Sequence, residues 1–325
     1  MSAPAILIDD VSKSFDSVKA LDGINLEMPE GIVLGLLGPN GAGKTTAIKV
    51  LATLLKPDSG TALVGGHDVV KEADRVRSMI GLTGQHAAVD DLLSGWENLY
   101  MVARLLGLNR QQAGSRSHGL LEVFGLSEAA AKVVKTYSDG MRRRLDLAVS
   151  LVGGPQILFL DEPTSGLDIK NRRLLWDLIS DLALDGTTIL LTTQFLEEAD
   201  RLADSIVVLD HGRVIAAGTP DDLRSSLGGQ IIDVTPRDAE DVELARSLLQ
   251  PLAVSGSPVH VDGHSLSVPV AEPGIFWLAA QKLESKGLEV AEMALRQPSL
   301  DEVFLALTGH VAEELPEEPG IRVEE

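Results

Sequence analysis

Four short apolar runs punctuate the chain: Ile32 to Leu37, Ile157 to Leu160, Thr188 to Thr192 and Ile206 to Leu209. Each gives way to Gly, Asp or polar residues. Runs without alternation predict strands covered on both faces, as in a parallel sheet. Helical spacing fills the stretches between them, including Lys44 to Leu55 after a Gly-rich turn and Arg172 to Ala183 after Gly166-Leu167-Asp168. Strand alternating with helix predicts a doubly wound α/β core. Ile6 to Ile8, Ile24 to Met28 and Thr61 to Val64 are alternating or turn-bounded, which predicts a smaller antiparallel β subdomain at one edge. Between about 87 and 152 strand signals vanish. Ser94 and Glu97 there have capping-box spacing, and the apolar stretch Leu99 to Leu106 stops at Gly107, so this region reads as a helical insertion.

Past Gly228-Gly229 the pattern restarts with strand Ile231 to Val234, helix Ala239 to Leu249, strands Val259 to Val261 and Leu266 to Val270, helix Ile275 to Glu284 and strand Glu289 to Leu295. That β-α-β-β-α-β order predicts a small split βαβ-like α+β domain. A last helix, Leu300 to Leu307, starts at Ser299 with Glu302 three residues on. The expected organisation is a core domain over 1–228, a C-terminal domain over 229–309, and an acidic, Pro-containing disordered tail over 310–325.

Composition narrows the functions open to such a chain. Lys and Arg number 28 against 48 Asp and Glu, a net charge of −20 that disfavours nucleic acid as a partner. Cysteine is absent, which removes disulfides, thiolate metal sites and cysteine nucleophiles. No apolar run approaches the roughly 18 residues of a membrane span. Met1 to Ile8 lacks the basic-then-apolar order of a secretion signal, so the expected location is cytoplasmic.

The most specific chemical signal is Gly38-Pro39-Asn40-Gly41-Ala42-Gly43-Lys44-Thr45, between a buried strand and a helix. It matches the P-loop pattern, whose glycines let successive N–H groups curl around a β-phosphate at a helix N-terminus. Lys44 adds a charge between the β- and γ-phosphates, and Thr45 offers its hydroxyl to Mg2+. Asp161 and Glu162 end the apolar strand Ile157 to Leu160, at the sheet edge where such folds bind ligands. Asp161 suits the Mg2+ shell, and Glu162 suits a general base polarising the attacking water. A nucleoside triphosphate with Mg2+ is the expected ligand of such a P-loop NTPase, and the resemblance given next makes that nucleotide ATP.

Over residues 5 to about 226 the chain resembles the ATP-binding cassette family. Phe15 stands where the family stacks an aromatic on adenine; the alternative is a core phenylalanine. Gln85 matches the glutamine joining core to insertion, which the resemblance places at the nucleotide and Mg2+. Tyr137-Ser138-Asp139-Gly140-Met141 looks like the signature, Ser165-Gly166-Leu167-Asp168 like the D-loop, and Gln194 sits where most members carry a histidine. The resemblance therefore implies nucleotide contacts from Phe15, the P-loop through Thr46, Gln85, Ser138, Asp139, Gly140 and Asp168. It implies catalysis by Glu162, Gln194 and Lys44. For Gln194 the alternative is a cap on a following helix, Leu196 to Leu202.

Ser138 and Gly140 precede a helical pattern, so they offer a second anion site. A two-fold homodimer would bring each such site to the partner's P-loop, sandwiching two ATP molecules. Arg142, Arg143 and Arg144 then read as a solvated or phosphate-facing turn of helix.

A closer resemblance lies in Tyr137 to Arg144, Thr192 to Asp200 and Leu295 to Leu305, which look like the ATPase subunits of daunorubicin/doxorubicin-type resistance exporters. Asp139 departs from the glycine common in that subgroup. The resemblance implies a separate membrane permease, a bacterial ATPase at the cytoplasmic face of the membrane, and efflux of a hydrophobic drug, antibiotic or lipid-like compound. Asp90 to Tyr100 is the expected permease-facing surface, against the alternative of a plain capped helix edge. Competing readings are an importer ATPase, a soluble cassette protein of repair or translation, and a P-loop kinase, for which signature and D-loop have no role.

Overall fold

The computed structural model describes residues 4–84, 88–226, 229–254 and 257–308. The chain divides into two compact units on either side of Ala217 and Gly218. The sequence places this boundary later, at Gly228-Gly229; the helix Pro220–Ser226 instead belongs to the C-terminal unit.

Among the described residues the N-terminal unit holds a six-stranded sheet, in the spatial order Arg213–Gly218, Ser205–Asp210, Val33–Leu37, Thr188–Thr193, Ile157–Asp161, Ile80–Thr83. Val33–Leu37 pairs in parallel with Thr188–Thr193 and Ser205–Asp210, and Ile157–Asp161 in parallel with Thr188–Thr193 and Ile80–Thr83. Every residue of Val33–Leu37, Ile157–Asp161 and Thr188–Thr193 is buried, as runs without alternation require. Large side chains such as Phe159 and Trp176 are almost wholly enclosed, each contributing on the order of 2 kcal/mol by burial. The register sets Asp161 opposite Thr192.

A second, antiparallel sheet runs Val18–Met28, Ile6–Phe15, Ser59–Val64, His67–Asp68. Its first two strands extend well past the apolar segments that predict them, because the added residues include exposed polar ones such as Asp10 and Lys19. The helix after the P-loop is shorter than its apolar pattern: it covers Lys44–Leu51, and Thr53 at φ +62° breaks it.

The insertion contains helices Gly95–Leu105, Arg110–Val123 and Asp139–Ser150. Ser94 makes both bonds of the expected capping box with Glu97, and Gly107 follows at φ +90°. In the C-terminal unit the sheet order is His260–Asp262, Ser265–Val270, Gln230–Pro236, Val290–Arg296, all antiparallel. Helices Val242–Leu249 and Ile275–Ser285 give Ala245, Leu249, Ala279 and Leu283 to a core with Ile232, Val234, Leu266 and Val268. This is the split βαβ arrangement its pattern predicts. The tail over 310–325 lies outside the described residues.

Candidate nucleotide site

The P-loop joins Val33–Leu37 to the helix Lys44–Leu51. Gly43 sits at φ +107° as the helix N-cap, and a Cβ there would lie 2.3 Å from the Ala20 carbonyl oxygen. Gly38 is equally confined, with the Leu209 carbonyl 2.3 Å from where its Cβ would be. Glycine is thus required by neighbouring main chain as well as by any phosphate. Lys44 is buried; its Nζ donates to the carbonyls of Gly38 at 2.6 Å and Pro39 at 3.1 Å, and lies 3.6 Å from Glu162 Oε1.

Asp161 Oδ1 accepts from Thr45 Oγ1 at 3.1 Å and from Thr192 Oγ1 at 2.7 Å. Glu162 follows in the left-handed region at φ +49°, where a side chain larger than glycine costs about 1 kcal/mol or more. Its N–H donates to Thr192 Oγ1 at 3.0 Å, and its carbonyl accepts from Arg143 Nη2 at 2.6 Å. That backbone turn aims the carboxylate at Lys44. Phe15, Ala20, residues 40–46 and Glu162 line one cavity of about 280 Å³. Phe15 is 48% exposed, which removes the core reading of that ring.

A second group gathers around the signature. Ser138 caps the helix Asp139–Ser150, accepting from Met141 N–H at 3.3 Å, and Asp139 occupies its exposed first turn. Gly140 is buried with no room to spare: a Cβ would sit 2.3 Å from Asn171. Asn171 in turn donates to both carboxylate oxygens of Asp168, whose pKa these bonds hold below the usual range. Signature and D-loop are therefore packed together through one asparagine.

Gln194 follows Thr188–Thr193. Its Oε1 is buried and has no hydrogen-bond partner. The helix Leu196–Leu202 has Phe195 at its N-cap with no side-chain cap, so Gln194 does not cap it. Gln85 lies outside the described residues.

Sequence reasoning missed Thr192 and Arg143. Thr192 was legible only as the polar end of a buried run, and its role comes from the register that sets it beside Asp161. Arg143 is a correction. It is buried rather than solvated, and it donates to the carbonyls of Gly84, Asp161, Glu162 and Pro163.

A parallel sheet with this loop, a strand-end acid pair and a helical insertion defines a P-loop ATPase of the ATP-binding cassette type. The sequence profile described as ABC transporter matches residues 21–165. The chain belongs to the ABC transporter family, among ATP-binding subunits of the daunorubicin/doxorubicin resistance type. It is 50% identical to the daunorubicin/doxorubicin resistance ATP-binding protein DrrA of Streptomyces peucetius, over 95% of this chain and 94% of that one. It is 44% identical to the doxorubicin resistance ATP-binding protein DrrA of Mycobacterium tuberculosis, over 96% of each. Among solved structures, cbiO1 of Clostridium perfringens superposes with a TM-score of 0.64 at 27% identity, covering 68% of this chain and 91% of that one. ATP hydrolysis is accordingly its reaction.

Proposed function

We propose that the chain powers a bacterial exporter of hydrophobic drug- or lipid-like compounds, working from the cytoplasmic face of the membrane through a separate permease. The similarity to resistance proteins along nearly its whole length supports this reading, as does the description of the clostridial neighbour as part of an ABC transporter complex. No helix among the described residues is long and apolar enough to cross a membrane, so a pathway would come from a partner. The permease contact falls on the insertion, at Gln85 and Asp90 to Tyr100.

The observation that carries the site assignment is the convergence of Lys44, Thr45, Asp161 and Glu162 on one cavity edge. Residues 38–46 cradle the phosphates, Phe15 faces adenine, and Gln194 offers its unpartnered oxygen to water or to a phosphate-bound proton. Glu162 takes the proton of the attacking water. Thr45 and Asp161 fit Mg2+, being a hydroxyl and a carboxylate already in contact. No cluster of three or more acidic or histidine ligands accompanies them among the described residues. That suits an ion held partly by substrate phosphates. When bound, Mg2+ neutralises charge on the β- and γ-phosphates. Ser138, Asp139, Gly140 and Asp168 complete the site from the other subunit of an ATP-closed homodimer.

Co-expression with a permease sought among the genes adjacent to this one, followed by ATP-driven dye accumulation in inverted vesicles, tests the whole reading. Vesicles that hydrolyse ATP yet accumulate no hydrophobic substrate, or that instead require a solute-binding protein, would overturn the exporter assignment.

A further inference from the structure

Arg143 is the best-connected charged side chain near Glu162, and nothing in the phosphate chemistry needs it. It sits on the signature helix Asp139–Ser150 and is buried. Nε donates to Pro163 O at 2.6 Å, Nη2 to Glu162 O at 2.6 Å and to Asp161 O at 3.3 Å, and Nη1 to Gly84 O at 2.8 Å. Its charge is balanced by Asp146 one turn later, whose Oδ2 lies 3.8 Å from Nη1, a Coulombic pairing too long for a hydrogen bond. Asp146 Oδ1 accepts from Ala88 N–H at 2.7 Å. One arginine and its partner thus bind three places at once: the signature helix, the strand end that carries Glu162, and the main chain at Gly84 and Ala88.

The conformation at Glu162 explains why such a fastening is needed. A left-handed φ of +49° persists only where the surroundings over-determine it. Thr192 holds the N–H side of that residue and Arg143 the carbonyl side. We propose that Arg143 is a positioning residue for hydrolysis: its guanidinium fixes the backbone of residues 161–163 so that Glu162 meets the attacking water, and it makes that geometry depend on the signature helix and on Gly84 at the end of the strand Ile80–Thr83. The inference rests on Glu162 being the base. Lysine cannot replace the arginine, because a single ammonium cannot address four carbonyls spread across a planar fork.

The full-length protein carrying Arg143→Lys is compared with wild type in steady-state ATPase kinetics, in titration with a fluorescent ATP analogue, and in thermal melting. The expected result is a fall in kcat of about tenfold or more, as small misplacements of a reacting group produce. KM and analogue affinity should stay close to wild type, while the melting temperature falls with the lost carbonyl hydrogen bonds. Wild-type kcat in folded Arg143→Lys overturns the proposal; so does a loss of nucleotide affinity equal to the loss of kcat, which marks a purely structural arginine. If Arg143→Lys does not fold, the charge-neutral pair Arg143→Met with Asp146→Asn is measured in its place. Normal turnover in that pair, or its failure to fold, likewise overturns the assignment. Glu162→Gln separates this outcome from failure of the base itself: substantial turnover in Glu162→Gln alongside an impaired Arg143→Lys would reject Glu162 as base.

Discussion

Arg143 in the N-terminal unit and Arg296 in the C-terminal unit spend the same side chain in opposite ways. Arg143 is buried, addresses four main-chain carbonyls and meets a carboxylate only at 3.8 Å. Burial pulls its pKa down, against the attraction of Asp146, Glu198, Asp161 and Glu162. Arg296 is about a third exposed and lies between two carboxylates, 2.5 Å from Asp233 and 2.8 Å from Glu302. Bonds to Glu302 and Asp233 together push its pKa up against burial. The first arrangement is poor at stabilising and good at fixing loops; the second joins the sheet to the helix Leu300–Thr308 and takes no part in chemistry. Arg143 thus serves geometry, and Arg296 cohesion.

The sharpest break of that contrast is Lys44→Ala. It should cut ATP turnover by at least about 100-fold and weaken nucleotide binding, because the P-loop loses its buried cation. A colorimetric phosphate assay reading near-normal rates would discard the site. Glu162→Gln should stop hydrolysis to a similar degree while sparing ATP binding, since the amide keeps the shape and loses the base. With Mg-ATP it should then run as a dimer in light scattering, and a strict monomer would contradict the two-fold sandwich.

Arg296→Met should do the reverse: ATPase unchanged, and about 1–2 kcal/mol lost from the C-terminal unit in urea unfolding, a figure kept small for partly exposed pairs. Its pH dependence has a definite sign. Burial works to raise the Glu302 pKa, but Arg296 and Ser299 outweigh it and the net shift is downward. A carboxyl lowered in the folded state adds stability that is full above its unfolded pKa and disappears as pH falls through the folded one. Wild type should therefore lose stability to acid below about pH 4.5, and Arg296→Met should lose less over that interval. Equal acid slopes would dismiss the pairing. Asp139→Gly should be the mildest change. The carboxylate is exposed in the first turn of its helix, which favours the helix but would repel the γ-phosphate in the proposed homodimer. Removing it should tighten nucleotide-dependent association about two- to threefold, and weaker association would mean that Asp139 makes a needed hydrogen bond.

Much of this was legible because its causes are local. The P-loop is contiguous, the Ser94 box needs only three-residue spacing, and the βαββαβ order survives in the C-terminal pattern. The strand Ile80–Thr83 escaped notice because it is four residues long, contains Gly81 and owes its state to its parallel neighbour Ile157–Asp161. Three consecutive arginines resemble a wet helix face until folding chooses among them: Arg142 pairs with Asp91, Arg144 donates to Phe124 O, and Arg143 turns inward. That choice depends on carbonyls up to 59 residues away, which no local window contains.

The tight quarters of the P-loop carry a mechanical meaning as well. Gly43 leaves no room for a side chain against the main chain at Ala20, nor Gly38 against Leu209, and the Ala42 carbonyl is held by Gly212 N–H at 3.0 Å. A loop wedged on both flanks has nowhere to recoil when a triphosphate arrives, so it acts as the fixed jaw of a vice. Closure around the nucleotide must then be delivered by whatever swings towards it, and a probe attached within residues 38–45 should report almost no displacement through the catalytic cycle.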